Sequence, residues 1–185
     1  IVAAETINPD DDKYDAVISK IKPSNPKTVY YGGEYPQAGP FSQQMKAAGL
    51  NVPLMGGDGI CSGELPKLAA GAMGDGQVVC AEAGGVEGAQ KVGMAKFRAD
   101  FKKKSNADVQ IYAPYVYDAT MVIADAMQKA GSADPAKYLP VLAKTSGYKG
   151  VTGTISFDEK GDVKNGALTL FTYKGEKREQ IAVVR

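Results

Sequence analysis

The 185 residues contain no histidine and no tryptophan, only two cysteines, and no excess of charge of either sign. Each absence closes off some chemistry. Without histidine there is no Ser-His-Asp or Cys-His pair, no imidazole base and no histidine-rich metal site, so catalysis would fall to carboxylates, lysine or tyrosine. Two cysteines are too few for a zinc cage, and Cys61 and Cys80 do not have the Cys-x-x-Cys spacing of a redox motif. Taken alone, they are either a disulfide or two buried thiols. Lysine and arginine number 22 against 21 aspartates and glutamates, so no basic surplus draws nucleic acid, and no nucleic-acid partner is expected. The longest apolar runs fall far short of the roughly 20 residues that cross a bilayer.

Several motifs fail on their spacing. Gly56-Gly-Asp-Gly59 does not follow G-x-G-x-x-G and has no P-loop lysine behind it. Asp10 to Asp12 and Asp158 to Asp162 lack the ligand spacing of an EF-hand loop. Lys102 to Lys104 reads as a solvated charge run at a helix end, where it suits the helix dipole. No metal is expected.

What is present is a 44% hydrophobic chain with an alternating pattern. Ile1 to Ile7 reads as a strand, followed by a turn and capping acids at Asn8 to Asp12. Tyr14, Val17, Ile18 and Ile21 then make one helical face. Thr28 to Tyr31 reads as a strand, and Pro36 starts a helix with Phe41, Met45 and Ala48 inward and Gly49 at its end. Val52 to Met55, a short helix over 64–70 and Gln77 to Cys80 complete a βαβαβαβ series. Such a series makes a parallel sheet with helical crossovers. Three helices follow without a strand, over 88–104, 115–130 and 136–144, the second with Ala119, Val122, Ile123, Ala126 and Met127 inward. The end is β: 153–157, 167–173 and 180–184, with turns at 158–161 and 174–175.

Two of the expected strands end in glycines and an acid, Thr28-Val-Tyr-Tyr-Gly-Gly-Glu34 and Pro53-Leu-Met-Gly-Gly-Asp58-Gly. Ligands of open parallel sheets bind beyond the carboxyl ends of the strands, so Glu34 and Asp58 are expected beside one crevice, facing a cationic group. The competing role for Asp58 is to cap a helix beginning near Ser62.

The combination Val29-Tyr-Tyr-Gly-Gly33, Met55-Gly-Gly-Asp-Gly59, Tyr112-Ala-Pro-Tyr-Val-Tyr-Asp118 and Ser156-Phe-Asp-Glu-Lys-Gly-Asp162 resembles the periplasmic leucine/isoleucine/valine-binding proteins of bacterial ABC transporters. These are type I periplasmic binding proteins, and the resemblance spans nearly the whole chain. It implies a partial type I α/β fold: 1–82 as part of lobe II, 83–165 as part of lobe I with its helices, and 166–185 as the hinge return and C-terminal strands. It further implies a receptor without enzymatic activity or cofactor, located in the periplasm, that holds an amino acid between two lobes for an ABC permease in the membrane.

By the same resemblance, Asp58 falls where the family holds the ligand's α-ammonium, and Tyr112 where an aromatic packs on the ligand, the alternative being an ordinary core tyrosine. Glu34 stands where branched-chain binders have a tyrosine: it either accepts a second ammonium proton, reaches a polar side chain of the ligand, or turns to solvent while Tyr35 fills the aromatic place. Cys61 and Cys80 are expected to pair as a disulfide. Family members need roughly twice this length, so the chain looks like the C-terminal half, with apolar helix faces to be covered by the missing N-terminal half or another copy. A ligand-sensing domain of a regulatory protein with the same fold is the alternative. Glycoside hydrolysis by the two carboxylates is a third, weaker reading.

Overall fold

The computed structural model describes residues 1–84 and 90–184. The chain forms two compact units, one from residues 1–83 with 169–184 and the other from residues 84–168.

The first unit begins with helix α1 (Asp15–Ile21), whose Ile18 and Ile21, with Tyr14 just ahead of the helix, are buried as the periodicity requires. A short 3-10 turn carrying Pro23 ends at Asn25, which sits in the left-handed region that asparagine tolerates. Strand β1 (Val29–Tyr31) follows. Pro36 lies in the first turn of helix α2 (Tyr35–Ala47), where its missing N–H costs no intrahelical bond. Ala38, Phe41 and Met45 face inward, and Gly49, at φ 73°, ends the helix. Strand β2 (Leu54–Gly56), helix α3 (Leu65–Ala69) and strand β3 (Val78–Ala83) complete the first pass. β1, β2 and β3 pair in parallel, with Val29 opposite Leu54 and Leu54 opposite Val78.

The second unit holds helices α4 (Gln90–Ser105), α5 (Ala113–Ala130) and α6 (Pro135–Leu142), then an antiparallel pair β4 (Tyr148–Lys149) and β5 (Thr154–Ile155). The expected start of α4 at residue 88 lies outside the described residues. Phe97 packs its ring on Tyr117 at 5.2 Å, tying α4 to α5. The buried line of α5 is Pro114, Asp118, Val122 and Ala126, so the inner stripe is rotated from the expected one, and Ala119 and Ile123 are exposed. Asp118 takes the inner place because its carboxylate accepts hydrogen bonds from the Val151 N–H at 2.9 Å, the Thr152 N–H at 2.8 Å and the Thr152 hydroxyl at 2.5 Å. Those donors offset the cost of burying a charge.

The chain then returns to the first unit. Strand β6 (Leu168–Lys174) lies beside β3 and strand β7 (Lys177–Val184) beyond it, giving a five-stranded sheet in the order β1-β2-β3-β6-β7. Leu54, Val78, Cys80 and Tyr173 from the sheet share one core with Tyr14, Ile18, Phe41, Met45 and Leu65 from the helices. On the opposite face of β1 and β2, Tyr30 is 69% and Met55 37% exposed.

One expected element is absent. Ile1 to Ile7 forms no strand; only Ile7 reaches the core, while Glu5 pairs with Lys20 at 3.1 Å. An alternating apolar pattern makes a strand only where a neighbouring backbone takes its N–H and C=O groups, and none of the described residues does so here. The parallel part of the sheet therefore has three strands in place of the four expected.

Candidate functional site

Because β1 and β2 run parallel and in register, with Tyr31 opposite Gly56, the loops that follow them leave the same edge of the sheet. Glycine lets those loops close on each other. At Gly56 a Cβ would meet the Tyr31 carbonyl at 2.8 Å, and at Gly59 it would meet the Gly33 carbonyl at 2.5 Å and Glu34 Oε1 at 2.9 Å. The Glu34 carboxylate thus rests on the residue next to Asp58, as the strand-end reading expected.

Both acids are exposed. Asp58 Oδ1 accepts the Gly59 N–H at 3.1 Å, within a 3-10 turn over Asp58–Ile60. Asp58 does not cap α3: the N-cap residue of that helix is Glu64, no side chain caps it, and the Ser62 hydroxyl accepts the Glu64 N–H at 3.2 Å. Glu34 is the N-cap residue of α2, where its carbonyl accepts the Ala38 N–H while its side chain makes no capping bond. Among the described residues no ion pair engages Glu34 or Asp58.

Three tyrosines lie on or beside the strand end. Tyr35, the first residue of α2, packs against the core cluster, whereas Tyr30 is the exposed ring and its hydroxyl lies 4.0 Å from a Cβ placed on Gly57. Burial, then the neighbouring Tyr14 and the Glu34 charge, hold the Tyr31 phenol above its usual value. Tyr112 belongs to the second unit, where it is the N-cap residue of α5 and 46% exposed.

Cys61 and Cys80 form a disulfide, fully buried, with their Cα atoms 5.4 Å apart. It fixes the end of the Asp58 loop to β3. Sequence reasoning missed the other restraints on that loop. Tyr173 on β6 aims its hydroxyl at the Ile60 and Ser62 carbonyls, at 3.1 and 2.9 Å. Arg178 on β7 donates to the Cys61 carbonyl at 2.7 Å, pairs through the same nitrogen with Glu82, and lies 4.4 Å over the Phe171 ring. Burial pushes the Tyr173 phenol well above its usual value, so it stays a donor at any physiological pH. These partners lie 111 to 117 residues from the loop, and no local signal could have revealed them.

Two solvent-facing carboxylates on a braced loop edge can accept hydrogen bonds from an ammonium group. Among the described residues no group of three or more His, Cys, Asp or Glu side chains could hold a metal ion, and no helix is long and apolar enough to cross a membrane.

Comparison with known proteins agrees with this architecture. The periplasmic binding protein family matches residues 1–178, and the chain belongs to that family, one of binding proteins and not of enzymes. It is 32% identical to the leucine-, isoleucine-, valine-, threonine- and alanine-binding protein of Pseudomonas aeruginosa, over 94% of this chain and 45% of that protein. It is 30% identical to the leucine-specific-binding protein of Salmonella typhimurium, over 98% of this chain and 48% of that protein. Among solved structures, the leucine-binding protein LivK of Thermotoga maritima superimposes with a TM-score of 0.82 at 26% identity, covering 97% of this chain and 50% of that one. The branched-chain amino acid transporter substrate-binding protein LivJ of Streptococcus pneumoniae, in complex with isoleucine, gives 0.77 at 26% identity, covering 100% and 51%. The chain thus spans about half the length of the relatives it matches, and its fold is part of the type I periplasmic binding protein fold.

Proposed function

We propose that the chain is part of a periplasmic solute receptor that binds an amino acid, branched-chain or related, between two lobes and presents it to an ABC permease. The observation that carries this reading is the close approach of Glu34 to Gly59, the neighbour of Asp58, in the loops at the carboxyl ends of two parallel strands, where such sheets receive ligands. Asp58 accepts the ligand's α-ammonium through a charge-assisted hydrogen bond. Glu34 takes a second ammonium proton or a polar group of the ligand, and Tyr112 supplies an apolar ring to it. Tyr35 packs beneath the loop. The carboxylate end of the ligand is held by the part of the protein that lies outside this chain.

In that arrangement residues 1–82 belong to lobe II, 83–165 to lobe I, and 166–185 to the hinge return and C-terminal strands. The rest of the receptor covers the sheet face that bears Tyr30 and Met55, since parallel sheets are buried on both faces.

The test is titration calorimetry on the intact receptor containing this chain, with a panel of amino acids. Binding of one of them, weakened about tenfold or more by Asp58→Asn with no change in melting temperature, is the expected result. Failure to bind any amino acid overturns the proposal.

A further inference from the structure

The loop that carries Asp58 offers three successive carbonyls, those of Ile60, Cys61 and Ser62, and each is engaged by a side chain from the last strands of the chain. Tyr173 serves Ile60 and Ser62. Arg178 serves Cys61, and it does so as a charge: its Nη1 also pairs with Glu82, and its guanidinium stacks over Phe171. Glu82 is 9% exposed, so this ion pair is largely withdrawn from water, and its geometry is fixed by the strands on which the two residues stand.

The backbone between Asp58 and Cys61 is a single 3-10 turn closed by the Cys61 N–H donating to the Asp58 carbonyl at 2.9 Å. That N–H lies in the Ile60–Cys61 peptide, whose carbonyl receives Tyr173; the carbonyl that receives Arg178 lies in the next peptide, Cys61–Ser62, and the two planes share the Cys61 Cα. A shift of the Cys61–Ser62 peptide therefore reaches the turn that carries Asp58 through that Cα, and the hydrogen bond from Arg178 opposes it alongside the disulfide.

We propose that Arg178, oriented by Glu82, is a positioning residue for ligand binding: by holding the Cys61–Ser62 peptide it fixes the Cys61 Cα at the end of the 3-10 turn, and through that turn the placement of the Asp58 carboxylate. This rests on the proposed contact between Asp58 and the ligand's ammonium. Arg178 touches no ligand itself, and its effect on affinity passes through Asp58.

The test is a double-mutant cycle on the intact receptor, measured by calorimetry with the tightest-binding amino acid of the panel, using wild type, Arg178→Met, Asp58→Asn and the two combined. If Arg178 acts through Asp58, Arg178→Met weakens binding about tenfold in the wild-type background and has little further effect once Asp58 is asparagine. A role confined to general stability lowers affinity by the same factor in both backgrounds, or lowers only the melting temperature, and either result overturns the inference. Should Arg178→Met fail to fold because the buried Glu82 loses the Arg178 guanidinium, the same cycle is run with Arg178→Met and Glu82→Gln together, which removes the Glu82 charge. Binding of amino acids that survives Asp58→Asn at full strength removes the premise and overturns this inference while leaving the receptor reading intact. Loss of all amino-acid binding in the wild type overturns both.

Discussion

Gly59 packs so closely on Glu34 that a single added carbon at Gly59 would lie 2.9 Å from the Glu34 Oε1, and 2.5 Å from the Gly33 carbonyl. The carboxylate end can swing away, but the carbonyl belongs to backbone. Gly59→Ala is therefore expected to push the two strand-end loops apart, at a cost of about 1–3 kcal/mol in stability. Thermal melts and calorimetry on the intact receptor check this, with both melting temperature and affinity falling. An unchanged melting temperature would mean that the loops part freely.

The disulfide closes a separation of 19 residues. Cys61→Ser with Cys80→Ser is expected to lower stability by about 3 kcal/mol in the chain-entropy picture. Since both cysteines are fully buried, reductant should cleave the bond only when denaturant opens the unit, as followed by thiol labelling. Rapid labelling under native conditions would contradict the packing described above.

Burial raises the folded-state pKa of Tyr173 above the value of about 10 that it has in the unfolded chain. Below that value both states keep the proton and the contribution of the hydroxyl to stability is complete. Above it the unfolded chain releases the proton first, so stability falls as pH rises from about 10 through the folded pKa. Denaturant titrations across this alkaline range should show the decline, and Tyr173→Phe should flatten it while lowering stability at neutral pH, by about 1 kcal/mol for the hydroxyl's own hydrogen bond.

In the second unit, Asp118→Ala is expected to cost about 2–4 kcal/mol, because it strands the backbone N–H groups of Val151 and Thr152 that the carboxylate receives. Asp118→Asn, which keeps acceptor capacity, should cost less. Chemical denaturation of these variants with Asp118→Leu checks this: the leucine variant, which fills the space without an acceptor, should lose at least as much as Asp118→Ala, and a leucine variant as stable as Asp118→Asn would contradict the acceptor role.

Much of the first unit is legible in the sequence because its signals are local. The i, i+4, i+7 spacing of Tyr14, Ile18 and Ile21 places α1, and Pro36 with Gly49 brackets α2. That the loops of Glu34 and Asp58 leave the same edge of the sheet follows from two strand-end motifs and parallel pairing. Ile1 to Ile7 misled because its pattern encodes a strand but pairing needs a partner. Of the expected inner stripe of α5, Val122 and Ala126 are buried, but Asp118 joins them in place of Ala119 and Ile123, because its donors lie 33 to 34 residues away and leave no local signal. The exposed ring of Tyr30 was not singled out in the sequence, because strand tyrosines ordinarily pack and only the sheet shows which face of β1 is open. Arg178 and Glu82 were invisible for the same reason: charged residues at strand positions ordinarily face solvent, and only the neighbouring of β7, β6 and β3 brings them together.

The sheet order β1-β2-β3-β6-β7 also has a consequence for biosynthesis. Residues 1–83 lack two of their five strands until residues 169–184 have left the ribosome. The Asp58 loop therefore stays without Tyr173 and Arg178 through most of translation, and β3 presents a bare edge to the nascent chain and to its neighbours. Cys61 and Cys80 both precede β6 and β7 in the chain, so once the chain meets an oxidising compartment their bond can hold that loop in register for the later strands to dock.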